Sequence, residues 1–273
     1  MPLNESWHEL HQLRFPDLPL DCGNDADPGI VYSEDLRDWS DKATTPDQYR
    51  MEDYIDRYDL RSKMILHIGI GNSGLARRFH RRVKGIVGTT IDQPEIHVAK
   101  SFEIRNYRHV VHNKFLSWNE IIPEQFDFIL DNNPTSPCCC IRHLAALFDF
   151  YAAKLADGGQ IVTDRLGLEW VPEDSNQRWS FNFDDLAAVA ASSGLSAIRF
   201  GDWIYVLSRS TPIPPTFASM ARHLGRRAWK LPRQLAKKAP PAMIRAARGC
   251  ARRILEIAAP SLLEARRQRN EAR

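Results

Sequence analysis

Three glycines, Gly69, Gly71 and Gly74, sit in the stretch Met64 to Leu75 (MILHIGIGNSGL) at a spacing that can hold a ligand. An apolar run too short for a core helix meets them, and a helical pattern (Leu75, Ala76, Phe79) follows, which reads as strand, tight turn, helix. Gly69 and Gly71 permit backbone torsions and a close approach to a ligand that side chains forbid, while Gly74 lets the helix pack near the strand. The helix would then present free N–H groups and the positive end of its dipole above the turn, suiting a nucleotide-like ligand. A purely structural turn is the competing reading. In a nucleoside site an acidic residue near the end of the second strand grips the ribose hydroxyls. Asp92, 18 residues beyond Gly74, reads as the only carboxylate near enough, with Thr90 its rival for the strand tip.

The elements that must position these groups alternate along the chain. Helix Leu75 to Arg82 leads to a β-branched strand, Val83 to Ile91; a helix with Ile96, Ala99 and Lys100 precedes a third strand, Tyr107 to His112, that reaches Asn113. Phe126 to Leu130 is a fourth strand ending in Asp131-Asn132-Asn133-Pro134, and Ile141, Leu144, Phe148, Tyr151 and Leu155 keep helical spacing up to Gly158-Gly159. Gln160 to Asp164 is a fifth strand, Arg165 to Arg178 a long loop, Phe183 to Ser192 a helix. Ser196 to Phe200 and Trp203 to Ser208 form a closing antiparallel hairpin through Gly201-Asp202. Such alternation predicts an α/β, Rossmann-like, doubly wound seven-stranded sheet, with ligands outside the carboxyl ends of its central strands. Upstream, residues 1 to 30 show no sustained period, and two polar helical stretches between Tyr32 and Leu60 would cover a sheet edge or close as a lid through Tyr49, Tyr54 and Tyr58.

With 273 residues and 43% hydrophobic content, the chain can bury one large domain with appendages. It has no run of about 18 apolar residues, and its N-terminus lacks the basic start and apolar core of a signal peptide, so a cytoplasmic protein is expected. Cys22 and Cys250 are isolated and Cys138, Cys139 and Cys140 adjacent, which gives neither a zinc spacing nor a disulfide framework. The net charge of +3 hides a division: from Arg209 onward 16 Lys+Arg face three acids, leaving residues 1 to 208 at −10. An acidic body carries a basic tail.

The chain resembles the class I S-adenosylmethionine-dependent methyltransferases over roughly residues 46 to 208. Ile65-Leu-His-Ile-Gly-Ile-Gly-Asn-Ser-Gly74 is similar to the family's first motif, Val87-Gly88 to Pro94-Glu95 to the end of strand two, Phe126-Asp-Phe-Ile-Leu-Asp131-Asn132 to strand four, and Leu155 to Val162 to the loop and strand five. The resemblance implies S-adenosylmethionine as cofactor, bound by Gly69, Gly71, Gly74, Thr90, Asp92, Asn113, Asp131 and Asn132. The glycine turn would take its methionyl part, the strand-two tip its ribose and the strand-three tip its adenine, with the strand-four tip bordering the acceptor. His67 stands where the family most often has an acid, Thr90 where it has the strand-two carboxylate, and Asn113 replaces a common aspartate. Asp131-Asn-Asn-Pro134 does not match the pattern of enzymes that methylate base or amide nitrogens, which favours oxygen acceptors on a small molecule or glycan.

Methyl transfer from a sulfonium is an in-line displacement governed largely by positioning, and a hydroxyl acceptor benefits from a general base. Asp131 and His143 are the candidate catalytic residues, with Asp164, Glu169 and Trp170 candidates for the acceptor pocket. No metal site is expected: Asp131 and Asp164 read as separate carboxylates, and the three adjacent cysteines, pointing apart at a helix start, as small buried residues. Beyond the proline joint Thr211 to Thr216, the segments with Phe217, Met220, Leu224 and Leu231, then Ile244, Ala247, Ala251, Ile254 and Ala258, are amphipathic and cationic. Three domains follow: an N-terminal extension (1–45), a methyltransferase-like domain (46–210) and a basic helical tail (211–273). Residues 217–258 suit an anionic membrane at the inner face of the cell membrane; packing on the chain's own acidic body or on a second copy, or loose order, is the competing reading, and RNA is a less favoured partner. Two alternatives remain: an NAD(P)-dependent oxidoreductase, and a non-catalytic membrane- or RNA-binding protein with a degenerate methyltransferase fold. The oligomeric state is open.

Overall fold

A computed structural model of the chain describes residues 3–23, 39–116, 124–135, 138–169, 180–212, 214–216, 219–220 and 223–224. The backbone packs as two units, Met1–Ile55 with Leu60–Ile213, and Asp56–Asp59 with Pro214–Arg273. The first holds a seven-stranded sheet. Its strands are β1 (Met64–Ile68), β2 (Gly85–Thr90), β3 (Tyr107–Val111), β4 (Phe126–Asp131), β5 (Leu155–Asp164), β6 (Ser196–Phe200) and β7 (Ile204–Ser208), in the order β3-β2-β1-β4-β5-β7-β6. The first five are parallel, and β7 pairs antiparallel with both β5 and β6. This is the expected Rossmann-like sheet with its closing hairpin.

Seven helices accompany it: α1 (Glu5–Arg14), α2 (Pro46–Ile55), α3 (Gly74–Phe79), α4 (Gln93–Ser101), α5 (Ile141–Lys154), α6 (Arg165–Leu168) and α7 (Phe183–Ser192). Parallel strands joined by helices are covered on both faces, and β2 is buried along its whole length. Leu66, Ile68, Val87, Ile129 and Ile161 meet Leu144, Leu147, Phe148 and Tyr151 of α5 and Leu186 and Val189 of α7 in one core. Trp7, Leu10, Phe15 and Leu18 join that core.

Three local readings differ from the structure. Residues 5–14 form a helix where no sustained period was visible: Asn4 caps it by accepting from the Trp7 N–H at 3.1 Å, and only Trp7 and Leu10 are buried, too few to imprint a period. The Gly158-Gly159 pair does not end α5, which stops at Lys154; it lies inside β5, where Gly158 has φ +68° and the β4–β5 register shifts between Phe126 and Phe128. A Cβ at Gly159 would come within 2.8 Å of the Phe126 carbonyl oxygen, so the irregularity needs glycine there. The expected loop after β5 opens with the short helix α6, capped by Asp164.

Within the second unit, His223 Nδ1 lies 3.1 Å from Asp56 Oδ2. Most of the basic tail, including residues 225–273, and the stretch 24–38 before α2 lie outside the described residues. Among the described residues, no helix is long and apolar enough to cross a membrane.

Candidate active site

The carboxyl ends of the parallel strands place the candidate groups on one rim. Ile68, the last residue of β1, pairs with Thr89 on one side and Asp131 on the other, so Gly69 leaves the sheet beside Thr90 and Asn132. Asn113 follows β3 by two residues. Chain order reverses between β1 and β4, the position at which open α/β sheets bind their ligands.

The glycine turn is built as expected in shape but not in hydrogen bonding. Gly69 and Gly71 have φ +74° and +47°, and Ser73, capping α3, is left-handed at +56°. A Cβ added at Gly69 would meet nothing within 4 Å, so the backbone there faces open space. Four of the turn's amides, however, are internally used. Gly69 donates to the Thr89 carbonyl (2.8 Å), Gly71 to Glu95 Oε2 (3.1 Å), Ser73 to the Ile70 carbonyl (2.8 Å) and Gly74 to Asn72 Oδ1 (2.8 Å). The Gly74 amide at the helix start is therefore not open to an anion, and the turn before it is partly closed. The segment before α2 lies on it: the Asn72 amide donates to the Lys42 carbonyl (2.7 Å), and a Cβ at Gly74 would strike Thr44 Oγ1 at 2.4 Å.

Glu95 corrects the view of Asp92 as the only carboxylate within reach. It projects from the first turn of α4, is buried, and accepts from Gly71, the Thr90 hydroxyl and the Trp39 amide; burial raises its pKa. The Asp92-Gln-Pro-Glu95 spacing was a visible signal, since a Glu three residues past an N-cap turns back over the helix start. Thr90 accepts from the Asp92 N–H at 3.0 Å and donates to Glu95, so it ties the Asp92 backbone to the Glu95 carboxylate rather than standing free.

At the β4 tip, Asp131 is fully enclosed. It accepts from Lys114 Nζ (3.0 and 3.3 Å), the Tyr151 hydroxyl (2.6 Å) and the Asn133 N–H (3.1 Å). Burial lowers the pKa of Lys114 and raises that of Tyr151, with Asp131 opposing the first shift and adding to the second. A lysine after a strand reads as a surface residue, so nothing in the sequence announces Lys114. Asn132 donates to Asp47 of α2, and its side-chain oxygen is buried without a hydrogen-bond partner. Asp164, also enclosed, takes a two-pronged bond from Arg50 (2.7 and 2.7 Å) and caps α6 through Leu166 N–H (2.9 Å). Tyr54 of α2 donates to Gln160 at 2.6 Å. Helix α2 thus lies across the tips of β4 and β5, held by polar side chains. Tyr54 is buried in this packing while Tyr49 is exposed, so the tyrosines do not share one lid face.

Two further groups bear on a bound ligand. Asn113 accepts from the Phe115 N–H at 3.1 Å, but among the described residues its buried Nδ2 has no acceptor. His67, two residues before Gly69, is buried with neither ring nitrogen bonded to any described residue, and burial lowers its pKa to about 4. His143 is buried too, with Nδ1 turned to cysteine sulfurs. Glu169 pairs with Arg165 at 2.8 Å, and Trp170 lies outside the described residues.

No protein-family model matches the chain, and no curated protein matches it. Among solved structures it is similar to a TehB-like S-adenosylmethionine-dependent methyltransferase from Corynebacterium glutamicum (18% identity, 59% of this chain and 87% of that one, TM-score 0.46). It is also similar to the cofactor-bound amino pentose methyltransferase CalS10 from Micromonospora echinaspora (14%, 64% and 93%, 0.46) and to the [4+2]-cyclase SpnF (13%, 77% and 75%, 0.44). The likeness is one of fold. At these identities it does not reach the chemistry, and these proteins themselves differ in activity, two being methyltransferases and one a cyclase.

Proposed function

We propose that the chain is an S-adenosylmethionine-dependent methyltransferase acting on an oxygen of a small molecule or glycan. The observation that carries this reading is the glycine turn, open over Gly69 yet with the Gly69, Gly71, Ser73 and Gly74 amides already donated inside the protein. A pyrophosphate needs such amides, which weighs against a nicotinamide dinucleotide. A sulfonium nucleoside carries no phosphate and is cationic at sulfur. When bound, it supplies an electrophilic methyl group.

The residues on the rim fit that group. Gly69, Gly71 and Gly74 shape the turn, Asp92 takes the ribose hydroxyls with Thr90 and Glu95 bracing it, and the unsatisfied Asn113 Nδ2 is a donor for a ring nitrogen of the adenine. Neutral His67 adds no positive charge near the sulfonium. Asp131 is best read as a positioning residue, because its oxygens are taken by Lys114, Tyr151 and Asn133; with Asn132 it sets the wall on the acceptor side. His143 is likewise engaged, by sulfur, so catalysis here would rest mainly on holding the acceptor in line. On the sequence alone, the cationic segments within residues 217–258 are assigned to an anionic membrane surface, which would keep the enzyme near a membrane-associated acceptor at the inner face of the cell membrane.

Calorimetric titration of the full-length protein with S-adenosylmethionine, followed by transfer of labelled methyl into pools of polyols and glycans, tests the proposal. Cofactor affinity with label in an acceptor oxygen is expected. A folded protein without that affinity overturns it, and binding of NAD(P) instead would restore the oxidoreductase reading. One observation favours a non-catalytic protein of the same fold: both strand-tip carboxylates, Asp131 and Asp164, are consumed by structural bonds. Cofactor binding without transfer to any pool would be its mark.

A further inference from the structure

We infer that Cys22, Cys139, Cys140 and His143 form a structural site for one zinc ion. Their ligand atoms all lie within 4.8 Å of one another. His143 Nδ1 is 3.1 Å from Cys139 Sγ, 3.1 Å from Cys140 Sγ and 3.5 Å from Cys22 Sγ, and the Cys139 and Cys140 sulfurs are 3.8 Å apart. A tetrahedral zinc with ordinary Zn–S and Zn–N bonds sets sulfur–sulfur edges of about 3.8 Å and sulfur–nitrogen edges of about 3.6 Å. The Cys139–Cys140 and Cys22–His143 separations match those edges, and the two at 3.1 Å are about half an ångström short, a gap that binding an ion would open. One imidazole lone pair can accept from one thiol only, yet three sulfurs crowd it. A shared cation explains that crowding, and three soft thiolates with one imidazole select zinc over magnesium or calcium.

The local fold supplies the ligands. Cys140 caps α5 with an extended backbone (φ −161°, ψ 164°), and His143 follows one turn into the helix. The adjacent cysteines thus precede the helix rather than starting it, and they do not simply point apart: Cys138 turns its thiol to the Cys140 carbonyl (3.2 Å), while Cys139 and Cys140 converge on His143. Cys22 arrives from far away in sequence. Its strap is tied to the α5 start because the Ile141 and Arg142 N–H groups donate to the carbonyls of Pro19 (2.9 Å) and Leu20 (3.0 Å), and Arg142 pairs with Asp21 at 3.0 Å. The N-terminus of the 14-residue α5 and the Arg142 cation offset the charge of three thiolates. Four protein ligands close the coordination shell, which makes the site a staple between the N-terminal strap and α5 rather than a catalytic centre.

The full-length protein, reduced and stripped of metal, is titrated with Co²⁺ and then Zn²⁺. One equivalent of Co²⁺ should give the absorption of a tetrahedral, thiolate-bound ion, and Zn²⁺ should displace it. Cys22→Ser removes an exposed ligand without disturbing the core and should weaken Zn²⁺ by more than about a hundredfold, since even outer-shell changes cost 10–100-fold. Cys138→Ser should leave the affinity unchanged. Absence of the tetrahedral spectrum in the folded wild type overturns the inference, as does equal weakening by the Cys22 and Cys138 variants. A Cys22–Cys139 disulfide with no zinc in the protein as isolated overturns it too. None of these readouts involves S-adenosylmethionine, so the two proposals fail separately.

Discussion

His67 departs from an ordinary buried position, since among the described residues neither nitrogen of its buried ring has a hydrogen-bond partner. Its folded pKa of about 4 lies below the ordinary value of 6.5. Between these values the unfolded chain accepts a proton that the folded protein refuses, so the contribution is whole above pH 6.5 and drains away as pH falls towards 4. That amounts to about 3 kcal/mol. Urea unfolding across this range should therefore show a steeper acid loss in the wild type than in His67→Asn, and equal slopes would refute the account. Glu95 gives the second residue-scale prediction. Glu95→Ala strands the Gly71 amide and the Thr90 hydroxyl, so it should destabilise by about 2 kcal/mol and weaken S-adenosylmethionine in calorimetry through the loosened turn. At this scale the sequence shows which residue types stand at each strand tip. It does not show which are already satisfied, because Glu95 and Lys114 acquire their roles only when Gly71 and Asp131 come within hydrogen-bond reach.

Helix α2 is the element that decides what the rim can be. In the sequence it reads as a cover for a sheet edge or a lid closing through its tyrosines, whereas its Asp47, Arg50 and Tyr54 side chains bind Asn132, Asp164 and Gln160. Arg50→Ala leaves the Asp164 carboxylate enclosed and uncompensated, at a cost of about 3 kcal/mol. Adding Asp164→Asn should recover part of that loss in thermal or urea unfolding, and a double variant as unstable as the sum of the single ones would deny the pairing. Helix α6 meets the same tip through Gly167, where a Cβ would lie 2.0 Å from the Asn132 carbonyl oxygen. Gly167→Ala must push α6 away from β4, so a destabilisation of about 1–3 kcal/mol with weaker cofactor binding is expected. The strands and main helices were legible because periodicity and turn residues are local. Helix α1 and the β5 irregularity were not, since two buried residues and a close backbone contact leave almost no periodic trace.

Across the whole molecule the charge division organises the predictions about partners: an acidic body at −10 and a basic stretch from Arg209 onward at +13. If residues 217–258 engage an anionic surface, replacing Arg245, Arg248, Arg252 and Arg253 by Gln should weaken partition onto phosphatidylserine vesicles by about 4 kcal/mol, roughly a thousandfold, while S-adenosylmethionine affinity stays unchanged. Partition that persists in co-sedimentation would remove the membrane role. The order of strands and helices, the glycine turn and the charge asymmetry were settled by the sequence itself, because each follows from neighbouring side chains and the torsions they permit. Tertiary structure alone decided that four of the turn's amides are consumed, that Asp131 and Asp164 are locked, and that a cysteine from the N-terminal strap meets a histidine of α5. Those facts join groups separated by 24 residues at Glu95, 114 at Asp164 and 121 at His143, and such pairs exist only once folding has brought them together and excluded the water that would otherwise solvate them.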